Sequence, residues 1–246
     1  MYLFDLLRQE AARHGLNLSG WVDAAGFDAA QPREFRAEAL LPGCGSILVL
    51  GRGGSAVQQD QPGPGGADVA AVGGADAAAE VLSARLTDAG LRHLRLRSAE
   101  AKMRFRQLGE AAGFGVVSPV SGMLLHPVFG PWLLVEAAML VEVSPFGVAR
   151  EGAPSAGFEP CAVCAQPCIA TCSSLAVDLH GRMTRGRCGD PRRGGGCVDR
   201  CEARLACSAG TASAWRSVRA HILEHSKRHP SLGWAPPSLA GAQALR

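Results

Sequence analysis

The chain has 246 residues, 47% of them hydrophobic, a length that fits one large or two small domains with ample core material. Its net charge of +3 is too weak to argue for nucleic-acid binding. No apolar run reaches the roughly 18 residues of a membrane span, and Asp5, Arg8 and Glu10 stand too early for a signal peptide. The expectation is a cytoplasmic protein with no membrane contact.

Taken in order, Tyr2–His14 reads as a helix with Leu3, Leu6, Leu7 and Ala11 near the helical period, stopped by Gly15. Leu16–Val22 reads as a short strand. Ser46–Leu50 is a compact apolar run after the turn residues LPGCG, the pattern of a buried strand. Gly51–Gly66 is rich in Gly, Pro and Gln and reads as a long loop, without the Gly-Lys-Ser/Thr ending of a phosphate loop. Asp68–Ala89 is an alanine-rich helix ended by Gly90. Leu91–Arg97 alternates leucine with basic residues, as a strand with one wet face does.

Ala99–Ala112 is read as a further helix, with Met103, Leu108 and Ala111–Ala112 inward and Lys102, Arg106 and Glu110 outward. A loop follows over Gly113–Gly122. Met123–Leu125 and Trp132–Val143 read as strands around the turn HPVFGP, and Gly147–Glu159 as a linker. The alternation of strands and helices predicts an α/β or α+β first domain over residues 1–150. A cysteine-rich domain is expected over 151–210, then a C-terminal helix, Ala212–His229, and a tail over 211–246.

Of nine cysteines, eight fall between Cys161 and Cys207, and the ninth is Cys44. A secreted disulfide framework would spread its cysteines through a short chain behind a signal peptide, so clustered cysteines read here as metal ligands. The first group is Cys161, Cys164, Cys168 and Cys172; the second is Cys188, Cys197, Cys201 and Cys207. Two residues between cysteines let one tight loop aim both sulfurs at one centre, and a third follows a few residues later. Eight thiolates match the demand of two [4Fe-4S] clusters, with one cluster or a zinc ribbon as the alternatives. The spacing departs from the bacterial ferredoxin run, because the second gap holds three residues and Ser173 stands where proline is expected.

Other polar clusters read more simply. His221, His225 and His229 share a face of the tail helix, beside Lys227 and Arg228, and read as a solvated basic surface. His126 reads as a turn histidine bonded to backbone, with a cofactor contact as its functional alternative. Cys44 reads as an inert core thiol. The arginines of Arg182–Arg193 read as a solvated loop offsetting the charge of a thiolate-held centre.

The order of LPGCGSILVLG, a helix–strand–helix, GEAAGFGVVSPVSGMLLHPVFGPW and a two-part cysteine segment resembles the epoxyqueuosine reductases and their corrinoid iron–sulfur relatives, among them the reductive dehalogenases. The resemblance spans most of Leu41–Cys207. It implies a nitroreductase-like α/β domain that holds cobalamin, followed by a ferredoxin-like domain with two four-iron clusters feeding electrons to the cobalt. On that pattern Cys161, Cys164, Cys168 and Cys207 hold one cluster, and Cys172, Cys188, Cys197 and Cys201 the other. The cofactor cleft would be bordered by Gly113, Gly115 and Ser118 on one side and His126, Phe129 and Gly130 on the other. An electron donor such as a flavodoxin or ferredoxin would be the partner.

The chain departs from the family in three places. The acidic proton donor ahead of the Ala-Gly-x-Gly motif is missing or displaced to Glu100. Ser118–Gly122 replaces a Gly-Lys-Asn loop. The 246 residues are expected to be too few to contain the family's helical-repeat extension after the clusters. These departures weaken the expectation of a transfer-RNA partner. They leave a non-catalytic electron carrier or cofactor-handling paralogue as one alternative function, and a zinc-stabilised binding module as another.

Overall fold

The computed structural model describes residues 2–54, 70–98, 103–144, 157–177, 183–184, 186–188 and 201–210. Glu100, Cys197, the loop beyond Gly54 and the tail helix with its histidines lie outside the described residues.

A sheet of four antiparallel strands forms the centre, in the order β1-β2-β6-β3: β1 (Leu18–Asp23), β2 (Ser46–Gly53), β6 (Leu133–Val141) and β3 (His93–Arg97). The two middle strands are apolar on both faces because helices cover both. Ile47, Val49, Ala138 and Leu140 face a layer with α2 (Ala24–Ala29), α3 (Ala37–Leu40) and α5 (Phe105–Ala111). Leu48, Leu50, Met139 and Val141 face α1 (Tyr2–Arg13) and α4 (Ala70–Asp88). The period-two alternation of a strand sends each set to its own layer.

Local chemistry sets the element ends. Gly15 adopts φ +78° after α1, and the Leu16 N–H returns to the Ala11 carbonyl, which satisfies a terminal acceptor of the helix. Asp23 caps α2 by accepting from Gly26 N at 2.7 Å. The basic residues of β3 lie against α4, where Arg95 pairs with Glu80 at 2.7 Å and Arg97 with Asp76 at 3.0 Å.

The structure revises some expected boundaries. β2 runs on to Gly53, past an irregularity at Leu50/Gly51 where β6 accommodates an extra residue, Glu136. Leu6 is half exposed, whereas Leu7 and Ala11 of α1 are fully buried. The described helix before Gly113 begins at Phe105, so Met103 is buried ahead of it, and Ala111 is exposed. Arg106 and Glu110 do not simply face solvent. Arg106 donates to the Gly122 carbonyl at 2.8 Å, and Glu110 accepts from Val117 N at 2.7 Å, so both fasten the following loop.

That loop carries a small hairpin, β4 (Val116–Val117) with β5 (Leu124–Leu125), extended by a bridge from His126 to Gly130. The cysteine segment packs on it through α6 (Pro167–Ala170) and α7 (Glu202–Ala206), which enclose a small core of Val120, Cys168, Val177 and Ala203. Among the described residues no helix is long and apolar enough to cross a membrane.

Candidate functional site

The cysteines are gathered by turns rather than by long elements. Pro167 opens α6 at the position where its missing N–H costs nothing, behind Gln166 at φ +56°. This places Cys168 in the first turn and leaves Cys161 and Cys164 on the preceding loop. Cys207 follows α7 directly. Cys161, Cys164, Cys168 and Cys207 line one cleft, with Ser118, Val120, Ser121 and Leu125 as its far wall.

The electrostatics agree with that convergence. Burial pushes the Cys168 thiol up, and the neighbouring Cys207, Cys161 and Cys164 sulfurs push it further. Burial likewise raises Cys207, with Cys161 and Cys164 adding to it and the Ala209 N–H opposing. Cys168 and Cys207 thus resist ionising beside Cys161 and Cys164, and the four sulfurs form a donor set that a cationic centre would stabilise as thiolates. Polar groups already address two of the sulfurs: Gln166 N donates to Cys164 Sγ at 3.4 Å, and Ser118 Oγ lies 3.3 Å from Cys161 Sγ. Among the described residues, no three such side chains are set to hold a bare metal ion.

Of the second expected group, Cys172 and Cys201 border the same small core and Cys188 is half-buried. Burial acts to raise the Cys172 thiol. The Ser174 hydroxyl and the N–H groups of Val177, Ala176 and Ser174 outweigh it, so the net shift is downward. A sulfur cradled by backbone donors is prepared to carry negative charge. Cys44 donates to the Ser46 carbonyl, and burial pushes its pKa up to about 11, which fits the inert thiol expected.

A second, polar cleft of about 300 Å³ lies on the other side of the hairpin, lined by Asn17, Ser19 and Trp21 of the β1 region, Arg8, Ala112–Phe114 and His126. Here His126 is well defined. Its Nδ1 accepts from Val128 N at 3.0 Å and Phe129 N at 3.2 Å, which leaves the proton on Nε2. Burial lowers its pKa below 6.5, so the ring is neutral at neutral pH. The turn-histidine reading therefore holds, and the same turn leaves an N–H for the cleft.

Of the remaining cofactor candidates, Gly113 lines the same cleft and the others fall elsewhere. Gly113, at φ +81°, terminates α5, with Phe114 N returning to the Gly109 carbonyl at 2.9 Å. Gly115 packs against the Leu125 carbonyl, where a Cβ would collide with it. Phe129 stacks on His126 at 4.5 Å and covers Gly53 and Gly54. Gly130, at φ +58°, touches Ala209 and Gly210, so the hairpin turn meets the end of the cysteine segment backbone to backbone. Ser118 faces the cysteines. Asn17, Ser19 and Trp21 were not singled out from the sequence, although polar residues at 17 and 19 alternate with Leu16 and Leu18 in the pattern of a strand with one polar face.

Leu125 lines the cysteine cleft and His126 the polar one. Adjacent residues of an extended chain point to opposite faces, so the two clefts stand back to back across a single strand. The fold defines a class, a mixed α/β protein built on a small antiparallel sheet, and in it this chain is similar to solved epoxyqueuosine reductases and reductive dehalogenases. Epoxyqueuosine reductase from Streptococcus thermophilus superimposes with a TM-score of 0.55 at 11% identity, over 74% of this chain and 55% of that one. An epoxyqueuosine reductase solved with an epoxyqueuosine-modified tRNA stem loop gives 0.52 at 15% identity, over 76% of this chain and 56% of that one. A catabolic reductive dehalogenase in complex with 3-bromo-4-hydroxybenzoic acid gives 0.60 at 16%, over 90% of this chain and 35% of that one. The chain thus spans little more than half the length of the reductases and about a third of the dehalogenase. No protein-family model and no curated protein matches the sequence.

Proposed function

We propose that this chain is an iron–sulfur redox protein that delivers electrons from a cysteine-held cluster to an acceptor bound in the polar cleft beside His126. The observation that carries the reading is the back-to-back placement of the two clefts, with Leu125 and His126 as the wall between them. Cys161, Cys164, Cys168 and Cys207 would hold the nearer cluster. Cys172, Cys188, Cys197 and Cys201 supply the donor set for a second. When bound, such a cluster supplies single electrons at a potential set by its charge, burial and hydrogen bonding.

The likeness to epoxyqueuosine reductases and to a reductive dehalogenase whose structure was interpreted in terms of B12-dependent dehalogenation makes a corrinoid the first acceptor to test. The corresponding division is a nitroreductase-like domain over 1–150, a ferredoxin-like domain over 151–210 and a tail. The cleft volume, about 300 Å³, is at the lower end of those that hold a drug-sized ligand. That volume admits a small acceptor or part of a corrinoid. Within it, His126 presents a neutral N–H donor, fixed in orientation by Val128 and Phe129, and Arg8 lies on the rim.

The test is anaerobic purification of the full chain with iron, sulfide and zinc analysis, followed by titration with cobalamin and with flavin. Iron with acid-labile sulfide, and a spectral change on adding cobalamin, are expected. Stoichiometric zinc without sulfide would replace this reading with that of a zinc-stabilised module. Iron without binding of either ligand would leave an electron carrier, whose donor would be a small redox protein such as a flavodoxin or ferredoxin.

A further inference from the structure

We infer that Ser118, a residue of the α/β domain, donates its hydroxyl hydrogen to Cys161 Sγ and thereby raises the reduction potential of the centre that Cys161 holds. The inference rests on the iron–sulfur reading above but concerns a residue outside the cysteine segment.

A serine hydroxyl has one hydrogen to give and two lone pairs with which to accept. Ser118 Oγ accepts from Val120 N at 3.2 Å and from Ser121 N at 3.0 Å, so both lone pairs are committed. Cys161 Sγ stands 3.3 Å away. A thiol hydrogen directed at that oxygen would meet an atom already taken by two donors, so the hydrogen between the two runs from oxygen to sulfur. The oxygen is held in place from both sides. Ser118 is only 3% exposed, its N–H donates to the Met123 carbonyl at 2.8 Å, and its carbonyl accepts from Gly122 N at 2.9 Å. Val120 and Leu125 flank it in the same cleft wall. The donor is therefore preorganised and screened from water, where a hydrogen bond to a charged sulfur is strongest.

Reduction adds one electron to the centre and increases the negative charge on its sulfurs, so a fixed O–H donor stabilises the reduced form more than the oxidised one. Hydrogen bonds to the sulfurs are among the features that set such potentials. The contact also makes the α/β domain sensitive to the state of the cysteine segment, because the same oxygen organises the turn ahead of Leu125 and His126.

The experiment is an anaerobic redox titration of the full chain with dithionite as reductant, followed by electron paramagnetic resonance. It compares wild type with S118A, S118T and S118V, after iron has been measured in each. S118A and S118V are expected to shift one signal to lower potential with iron content retained, while S118T, which keeps the hydroxyl, stays at the wild-type value. Threonine and valine have the same shape, so a difference between them belongs to the hydroxyl. Should valine lose iron that threonine keeps, with unchanged melting temperature, the hydroxyl is again assigned to the centre. S208A is the surface control: Ser208 Oγ is exposed and 3.6 Å from Cys164 Sγ, where water can take its place, and its potential should not move. Equal potentials in S118T and S118V would overturn the inference. Absence of iron from the wild type would instead overturn the iron–sulfur reading on which it stands, and that is known before any potential is measured.

Discussion

Substituting Gly130 by alanine probes whether the hairpin turn and the cysteine segment meet as described. Gly130 has φ +58°, and a Cβ there would be driven into the carbonyl oxygen of Ala209, with Gly210 N at 3.5 Å. Two costs follow. Placing alanine in the left-handed region costs about 1–2 kcal/mol. Moving a backbone carbonyl aside to admit a methyl group costs roughly 1–3 kcal/mol, as overpacking does in cores. Gly90 separates them, because it has φ +71° and nothing within 4 Å of its would-be Cβ. G90A should show the conformational cost alone, and G130A that cost plus the collision. For a chain of this size each kcal/mol lowers the melting temperature by about 2–4 °C. Urea denaturation followed by tryptophan fluorescence is a suitable assay, because Trp132 stands two residues away with Arg204 stacked 5.7 Å over its ring. Equal losses for G130A and G90A would refute the contact between hairpin and cysteine segment.

The imidazole of His126 should titrate below 6.5 by NMR and carry its proton on Nε2. Because the unfolded chain takes up that proton more readily, its contribution to stability is complete above pH 6.5 and declines as the pH falls from there toward the folded value; an ordinary midpoint with an Nδ1–H signal would contradict the geometry. Glu142 is held below the ordinary carboxyl value by the Arg92 N–H, then by the Arg92 side chain and its charge. Its contribution to stability is present above about pH 4.5 and is lost as the pH falls through its lower folded value. E142Q should therefore flatten that acidic limb of the stability profile, and an unchanged limb would count against the pairing. C168A and C172A should perturb different paramagnetic centres, although only four positions separate them; identical spectral losses would show that the two sulfurs serve one centre.

The sheet was legible where burial is two-sided. Ser46–Leu50 and Trp132–Val143 are apolar runs because helices cover both faces, and each became a central strand. What the sequence hid were contacts decided by tertiary approach. Gly51 and Gly53 resemble the Gly- and Pro-rich sequence that follows them, yet both belong to β2, where close neighbours leave no room for side chains. Arg106 and Glu110 have the helical spacing of solvent-facing residues, and nothing local announces that the next loop folds back to meet them. The close spacing of Cys161, Cys164 and Cys168 accounts for their meeting in one cleft, but the presence of Cys207 there rests on α6 packing against α7 across a long stretch of chain. Ser118 and Gly130 are expected as cofactor contacts on the family resemblance. The structure turns both toward the cysteine segment, a direction that composition does not encode.

The placement of Leu125 and His126 on opposite sides of one strand restricts how this region can change length. A single residue inserted or deleted within the paired stretch 124–126 would reverse the facing of the side chains that follow it in that stretch. Imidazole would then stand over the sulfurs and leucine in the polar cleft. Changes in pairs, or changes confined to the turn between His126 and Gly130, leave the facing intact. The hairpin thus confines length variation to its turns: homologues that keep both clefts should vary outside the paired residues 124–126, and grafts that shift that stretch by one residue should lose the histidine and the thiol environment together.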